Sequence, residues 1–176
     1  MKNLKSGIKL FHFTLLLVLI NTSINGQSKL DGFAVFNPKF GIYGSFKGGI
    51  PGYVFGDEIN FLKKKMIFSL DYYHCKFTYI GSKEEKFDQF DFLFGKYLDY
   101  GSFRFQIQGG LGTFKGITYN ESEKIFTLGI PLKVGLKYLI SNSFSIGLDL
   151  QANLNLKYPI YMPMLSIEIG KLKNVQ

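Results

Sequence analysis

Tryptophan is absent from this chain, cysteine occurs once and histidine twice, and each shortage closes off a class of function. The lone Cys75 cannot form an internal disulfide. It reads as a small apolar residue at a strand position, because no partner base stands in a recognisable constellation with it. His74 is the one histidine beyond the first 26 residues, and one Cys with one His does not make a metal site. A Ser-His-acid hydrolase would have to use His74, yet the local sequence is Tyr72, Tyr73, His74, Cys75, Lys76, with no serine close by. His74 therefore reads as structural or interfacial. Gly109 and Gly110 fall inside a strand pattern rather than opening a helix, so they do not cradle phosphate. The expectation is no catalytic residue, no metal and no cofactor.

Long apolar runs are missing as well. Phe13 to Ile20 is too short for a comfortable membrane-spanning helix. With Lys2, Lys5 and Lys9 before it and small or polar residues at 21–26 after it, the run has the layout of a secretory signal peptide, cleaved near Gly26 or Gln27. No cysteine follows to accept a lipid. Those three lysines account for three of the eight net positive charges, leaving +5 on residues 27–176. A nucleic-acid partner loses its main support.

What is present is a period of two. Phe126, Leu128, Ile130, Leu132, Val134, Leu136 and Tyr138 alternate with Thr127, Gly129, Pro131, Lys133, Gly135 and Lys137, the pattern of a half-buried strand. Residues 144–156 repeat it, and 103–111 and 165–169 follow. Aromatic content of 17% and 20 glycines suit many short strands and tight turns. Eight strands fit, at 38–47, 52–62, 66–80, 87–98, 102–115, 125–140, 144–156 and 163–172. Connections at 63–65, 99–101 and 141–143 are tight, whereas 81–86, 116–124 and 157–162 are longer, with Glu84 and Glu85 reading as a solvated loop tip. No helix, linker or second domain is expected.

Eight hairpin-linked strands can remove their exposed edges by closing into a barrel. The polar faces, with Gln106, Gln108, Gln151 and Asn153 beside Gly112, Gly129, Gly135 and Gly147, suit a narrow lumen better than a solvent surface. Aromatic pairs flank the tight turns as an interfacial girdle would: Phe61 and Phe68, Tyr97 and Phe103, Tyr138 and Phe144. The expected fold is therefore an all-β, eight-stranded antiparallel up-and-down transmembrane β-barrel, with its apolar face on lipid. Three positions resist this pattern. Pro131 calls for a bulge or register change, Gly56 for a bulge that would move Asp57 off the lipid face, and Lys76 must lie near the far interface, roughly 25 Å up.

On strand count, dyad pattern and turn asymmetry the chain resembles the small eight-stranded outer-membrane barrels, of the OmpX type and the OmpA transmembrane domain. The resemblance implies residence in the outer membrane, contact with its lipid, and handling by the barrel-assembly machinery. Such barrels commonly finish on a terminal aromatic, where this sequence has Leu172, Lys173, Asn174, Val175 and Gln176. By strand parity Glu58, Asp91, Arg104, Lys133, Lys137, Asp149 and Glu168 point into the lumen. Charges in so narrow a space must pair, and Arg104 and Lys133 are expected among Glu58, Asp91, Asp149 and Glu168 as a structural plug. The functional expectation is a non-catalytic barrel with a structural or surface-interaction role, set against a lipid-modifying enzyme on the same barrel and a soluble barrel holding an apolar ligand.

Overall fold

The protein is seen in a computed structural model that describes residues 32–48, 51–78, 84–117 and 124–172. The expected signal peptide, much of the connections 81–86 and 116–124, and the last four residues lie outside the described ranges. Eight strands are present: β1 Gly32–Ser45, β2 Gly52–Lys63, β3 Met66–Thr78, β4 Glu84–Tyr100, β5 Phe103–Ile117, β6 Ile125–Leu139, β7 Phe144–Asn155 and β8 Ile160–Gly170. Each pairs antiparallel with the next, and β8 returns to β1 to close the barrel. No helix occurs among the described residues.

Across the ladder from Ala34 through Phe61, Phe68, Phe94, Gly109, Leu132, Ala152 and Tyr161, the circuit returns to β1 at Gly44, ten residues further along. In an eight-stranded barrel such a stagger goes with a strand tilt of about 40° and an interior that side chains just fill. Both termini of the described barrel and the three tight turns share one end, here the turn end.

The start of β1 precedes the expected Pro38 by six residues, and that of β8 precedes Pro163 by three. Both prolines sit inside strands, where β1 and β8 do not pair. Pairing runs at Val35 and Phe36, lapses at Pro38, runs from Lys39 to Gly41, lapses opposite Pro163, and returns at Gly44 and Ser45. On their other edges Pro38 stays opposite Asp57 and Pro163 opposite Leu150. A proline without its N–H is accommodated where the ladder has a gap.

Pro131 follows the same rule, which corrects the bulge expected there. The β5–β6 ladder stops at Gly109 opposite Leu132 and resumes at Gly112 opposite Gly129 in unchanged register, while Pro131 remains opposite Asn153 on β7. Gly56 is no bulge either, being in register with Lys39 and Tyr73. It makes room for a ring, since a Cβ there would lie 2.3 Å from Cδ1 of Tyr73. Asp57 keeps its parity and faces outward between Phe55 and Ile59.

Inside, the barrel is layered. At the turn end Val35, Leu62, Ile67, Leu139 and Leu172 form an apolar plug against Tyr97. At the opposite end Tyr43, Phe87, Phe114 and Tyr158 form an aromatic lid. There the Tyr43 and Phe87 rings meet edge-on at 4.9 Å, and the Phe87 and Phe114 rings lie 4.4 Å apart with their planes tilted by 30°. Cys75 is buried within that lid. Mostly polar side chains occupy the length between, with the buried Leu93 among them. Tyr97 thus belongs to the interior and not to the girdle expected around the turns, whereas Phe68 and Phe94 stack outside at 4.8 Å and Phe103 and Tyr138 at 5.3 Å. Glu85 is likewise no solvated tip: it is buried at the rim beside the lid, where the Tyr158 hydroxyl donates to its Oε2 at 3.2 Å.

Candidate functional site

All seven charged residues assigned inward by parity are buried. Four of them join an alternating chain of cations and anions. The Lys137 ammonium meets Asp149 Oδ1 at 2.6 Å; Lys39 meets Asp149 Oδ2 at 2.8 Å and also Glu58; Lys133 meets Glu58 Oε1 at 2.8 Å and Asp71 Oδ2 at 3.1 Å. Three ammonium groups thus alternate with three carboxylates across the lumen. Alternation matters because each buried charge has an opposite charge beside it, which offsets its desolvation. Lys39 and Asp71 were not among the residues expected from the sequence, although Asp71 alternates with Leu70 and Tyr72 and so shares the inward parity of Ser69 and Tyr73.

Two of the seven are held by neutral groups. Asp91 Oδ2 accepts from Gln151 Nε2 at 2.6 Å and from Gln89. Glu168 accepts from Gln106 Nε2 at 3.0 Å and from the Ser145 hydroxyl at 2.7 Å. Inward glycines give these side chains space: a Cβ on Gly112 would lie 1.8 Å from Asp91 Oδ1, and one on Gly129 2.0 Å from Asn153 Oδ1.

Arg104 stands apart from the chain. Its guanidinium takes Asp99 in a two-pronged contact, Nε to Oδ1 at 2.7 Å and Nη2 to Oδ2 at 2.9 Å. It also covers the Tyr97 ring at 4.3 Å and donates to the carbonyl of Leu172 at 2.8 Å. The Leu172 amide in turn donates to the Asn142 carbonyl at 2.7 Å, which turns the end of β8 under the barrel mouth and buries the leucine. Expected among Glu58, Asp91, Asp149 and Glu168, Arg104 instead latches the turn-end plug. Its register explains this, for it lies opposite Asp99 across the turn at Gly101. Arg104→Ala is accordingly expected to cost about 2 kcal/mol, because Asp99 retains some solvent. A spin label at Leu172, immobile in the parent, should become mobile, and a label that stays immobile would argue against the latch.

The outside differs completely. Strand after strand presents apolar side chains, such as Phe90, Phe92 and Phe94 on β4, Leu128, Ile130 and Leu132 on β6, and Ile146, Leu148 and Leu150 on β7. His74 faces outward on β3, its Nδ1 2.7 Å from Asp88 Oδ1, and the Tyr72 hydroxyl donates to the same oxygen at 2.9 Å. Among the described residues no group of three His, Cys, Asp or Glu side chains could hold a metal ion.

No protein-family model and no curated protein matches the sequence. Solved structures do match the fold. Neisserial surface protein A is similar with a TM-score of 0.60 at 11% identity, over 80% of this chain and 97% of that one. Ail, the attachment invasion locus protein of Yersinia pestis, is similar at 0.59 and 10% identity, over 80% and 98%. The N-terminal β-barrel domain of Pseudomonas aeruginosa OprF is similar at 0.56 and 18% identity, over 78% and 96%. Identities this low speak to architecture alone, and the architecture is that of the small eight-stranded outer-membrane barrels.

Proposed function

We propose that this chain is an integral outer-membrane barrel without catalytic machinery, exported with a signal peptide removed near Gln27, that serves the cell envelope as a structural or surface-interaction protein. One observation carries the reading: an apolar outer face surrounds an interior that is charged in the middle and plugged at both ends. Apolar surface of this extent is stable against lipid and unstable against water. Among the described residues, buried charged, polar and apolar side chains fill the lumen, which speaks against an apolar ligand cavity and against an open path for ions. Outer-membrane lipid and the barrel-assembly machinery are the partners this reading brings with it.

The lipid-modifying alternative has one observation in its favour, the outward His74–Asp88 pair. The adjacent Tyr72 hydroxyl donates to Asp88 and not to His74, so among the described residues no hydroxyl is activated by the pair. A mature protein starting near Gln27 should sediment with outer membranes, resist alkaline extraction and change gel mobility on boiling. Spin labels at Leu132 and Leu148 should report lipid and a label at Gln106 should not. Shielding of the first two in a detergent-free soluble form would reverse the facing and overturn the proposal.

A further inference from the structure

The β2–β3 turn departs from what its geometry favours. A two-residue hairpin turn with both central residues at positive φ is ordinarily filled by Asn-Gly. Here Lys64 has φ 49° and Lys65 φ 65°, and among the described residues no other non-glycine residue has positive φ. Long side chains in a left-handed conformation carry a backbone cost that the fold does not require, and such a cost points to a use for the side chains.

Two further cations stand beside them. Lys63 and Lys96 are outward and exposed, and the ladder places Met66 between them, opposite both. Two strand spacings separate these lysines, about 10 Å. None of the four makes an ion pair with a described residue. Among the described residues the nearby acid at this end is Asp99, and Arg104 engages it. The Tyr97 amide donates to the Lys65 carbonyl at 3.0 Å, so the turn is tied down against β4. Directly above lie the outward rings of Phe61, Phe68 and Phe94.

We infer that Lys63, Lys64, Lys65 and Lys96 form a docking site for the phosphodiester headgroup of an anionic phospholipid in the leaflet at the turn end, with its acyl chains against Phe61 and Phe68. The inference rests on the membrane reading above. A lipid is favoured over a soluble protein partner because the turn is too short to project beyond the headgroup level that its flanking rings define. Attraction of a basic cluster to an anionic lipid surface gives about a fivefold preference per lysine at low salt.

The test uses the mature chain folded into phosphatidylcholine vesicles doped with spin-labelled phosphatidylglycerol or spin-labelled phosphatidylcholine. The phosphatidylglycerol tracer should be immobilised at least about fivefold more, and salt should erase the difference. In Lys64→Asn/Lys65→Gly the turn receives its favoured residues, so the barrel should fold at least as well while the preference drops. Adding Lys63→Gln/Lys96→Gln should bring the two tracers level. Equal immobilisation in the parent, or a preference that survives all four substitutions, would overturn the site. So would loss of the preference in Lys76→Gln/Lys86→Gln at the opposite end. Displacement by inorganic phosphate at matched concentration would make this a free-anion site and overturn the lipid assignment. A chain that immobilises neither tracer has not inserted, which overturns the membrane reading with it.

Discussion

Lys39→Met should lower the unfolding free energy of the barrel by about 4 kcal/mol, a larger loss than any lipid-facing leucine truncated to alanine would produce. Lys39 joins the two halves of the alternating chain, since it alone touches both Asp149 and Glu58. Without it three carboxylates share two ammonium groups in a place where water cannot compensate. Lys39→Met/Glu58→Gln should therefore recover more than half of the loss, because Lys133 then keeps Asp71 and Lys137 keeps Asp149 as separate pairs. Denaturant unfolding in vesicles measures both variants. A double variant no better than the single would mean that charge balance is not what the chain supplies.

Gly95→Val should prevent folding, seen as complete loss of the species whose gel mobility changes on boiling. A Cβ at this position would stand 1.9 Å from the Ile107 carbonyl oxygen and 2.7 Å from Gln108 Cα on the neighbouring strand. Backbone atoms held by a ladder on both sides cannot move aside as a side chain can, so the penalty exceeds about 4 kcal/mol. Gly48→Ala offers the contrast: its φ of 83° strains an alanine, yet open space surrounds the site, and about 1 kcal/mol is expected. If Gly95→Val folds like Gly48→Ala, the strands at that point are less closely apposed than described.

Facing was legible in the sequence because a period of two carries it directly. Alternation from Phe126 to Tyr138 and from Phe144 to Leu156 placed Lys133, Lys137 and Asp149 inside, and all three are inside. Height along the barrel was not legible from parity alone. Arg104 and Lys133 share a face, but the stagger sets Arg104 opposite Asp99 and Lys137, near the turns. Counting outward from the turn at Gly101 would have paired it with Asp99. Alternation also vanishes where both faces are apolar, as in Ile160, Tyr161, Met162, Pro163, Met164 and Leu165, and there the start of β8 was missed. The same aromatic layer hid Glu85, whose burial depends on Tyr158 arriving from the other end of the chain.

The prolines of the closing ladder bear on how the barrel comes into being. β1 and β8 are the two strands farthest apart in the chain, so their meeting bears the largest loop-closure entropy of any pairing in the molecule. That meeting is also made in three short runs, at 35–36, 39–41 and 44–45, where every other ladder runs on or lapses once. The most demanding join is thus the one held by the most interrupted row of backbone bonds. A ring built this way has a clasp: a seven-ladder sheet whose two ends are fastened by its most interrupted row of bonds.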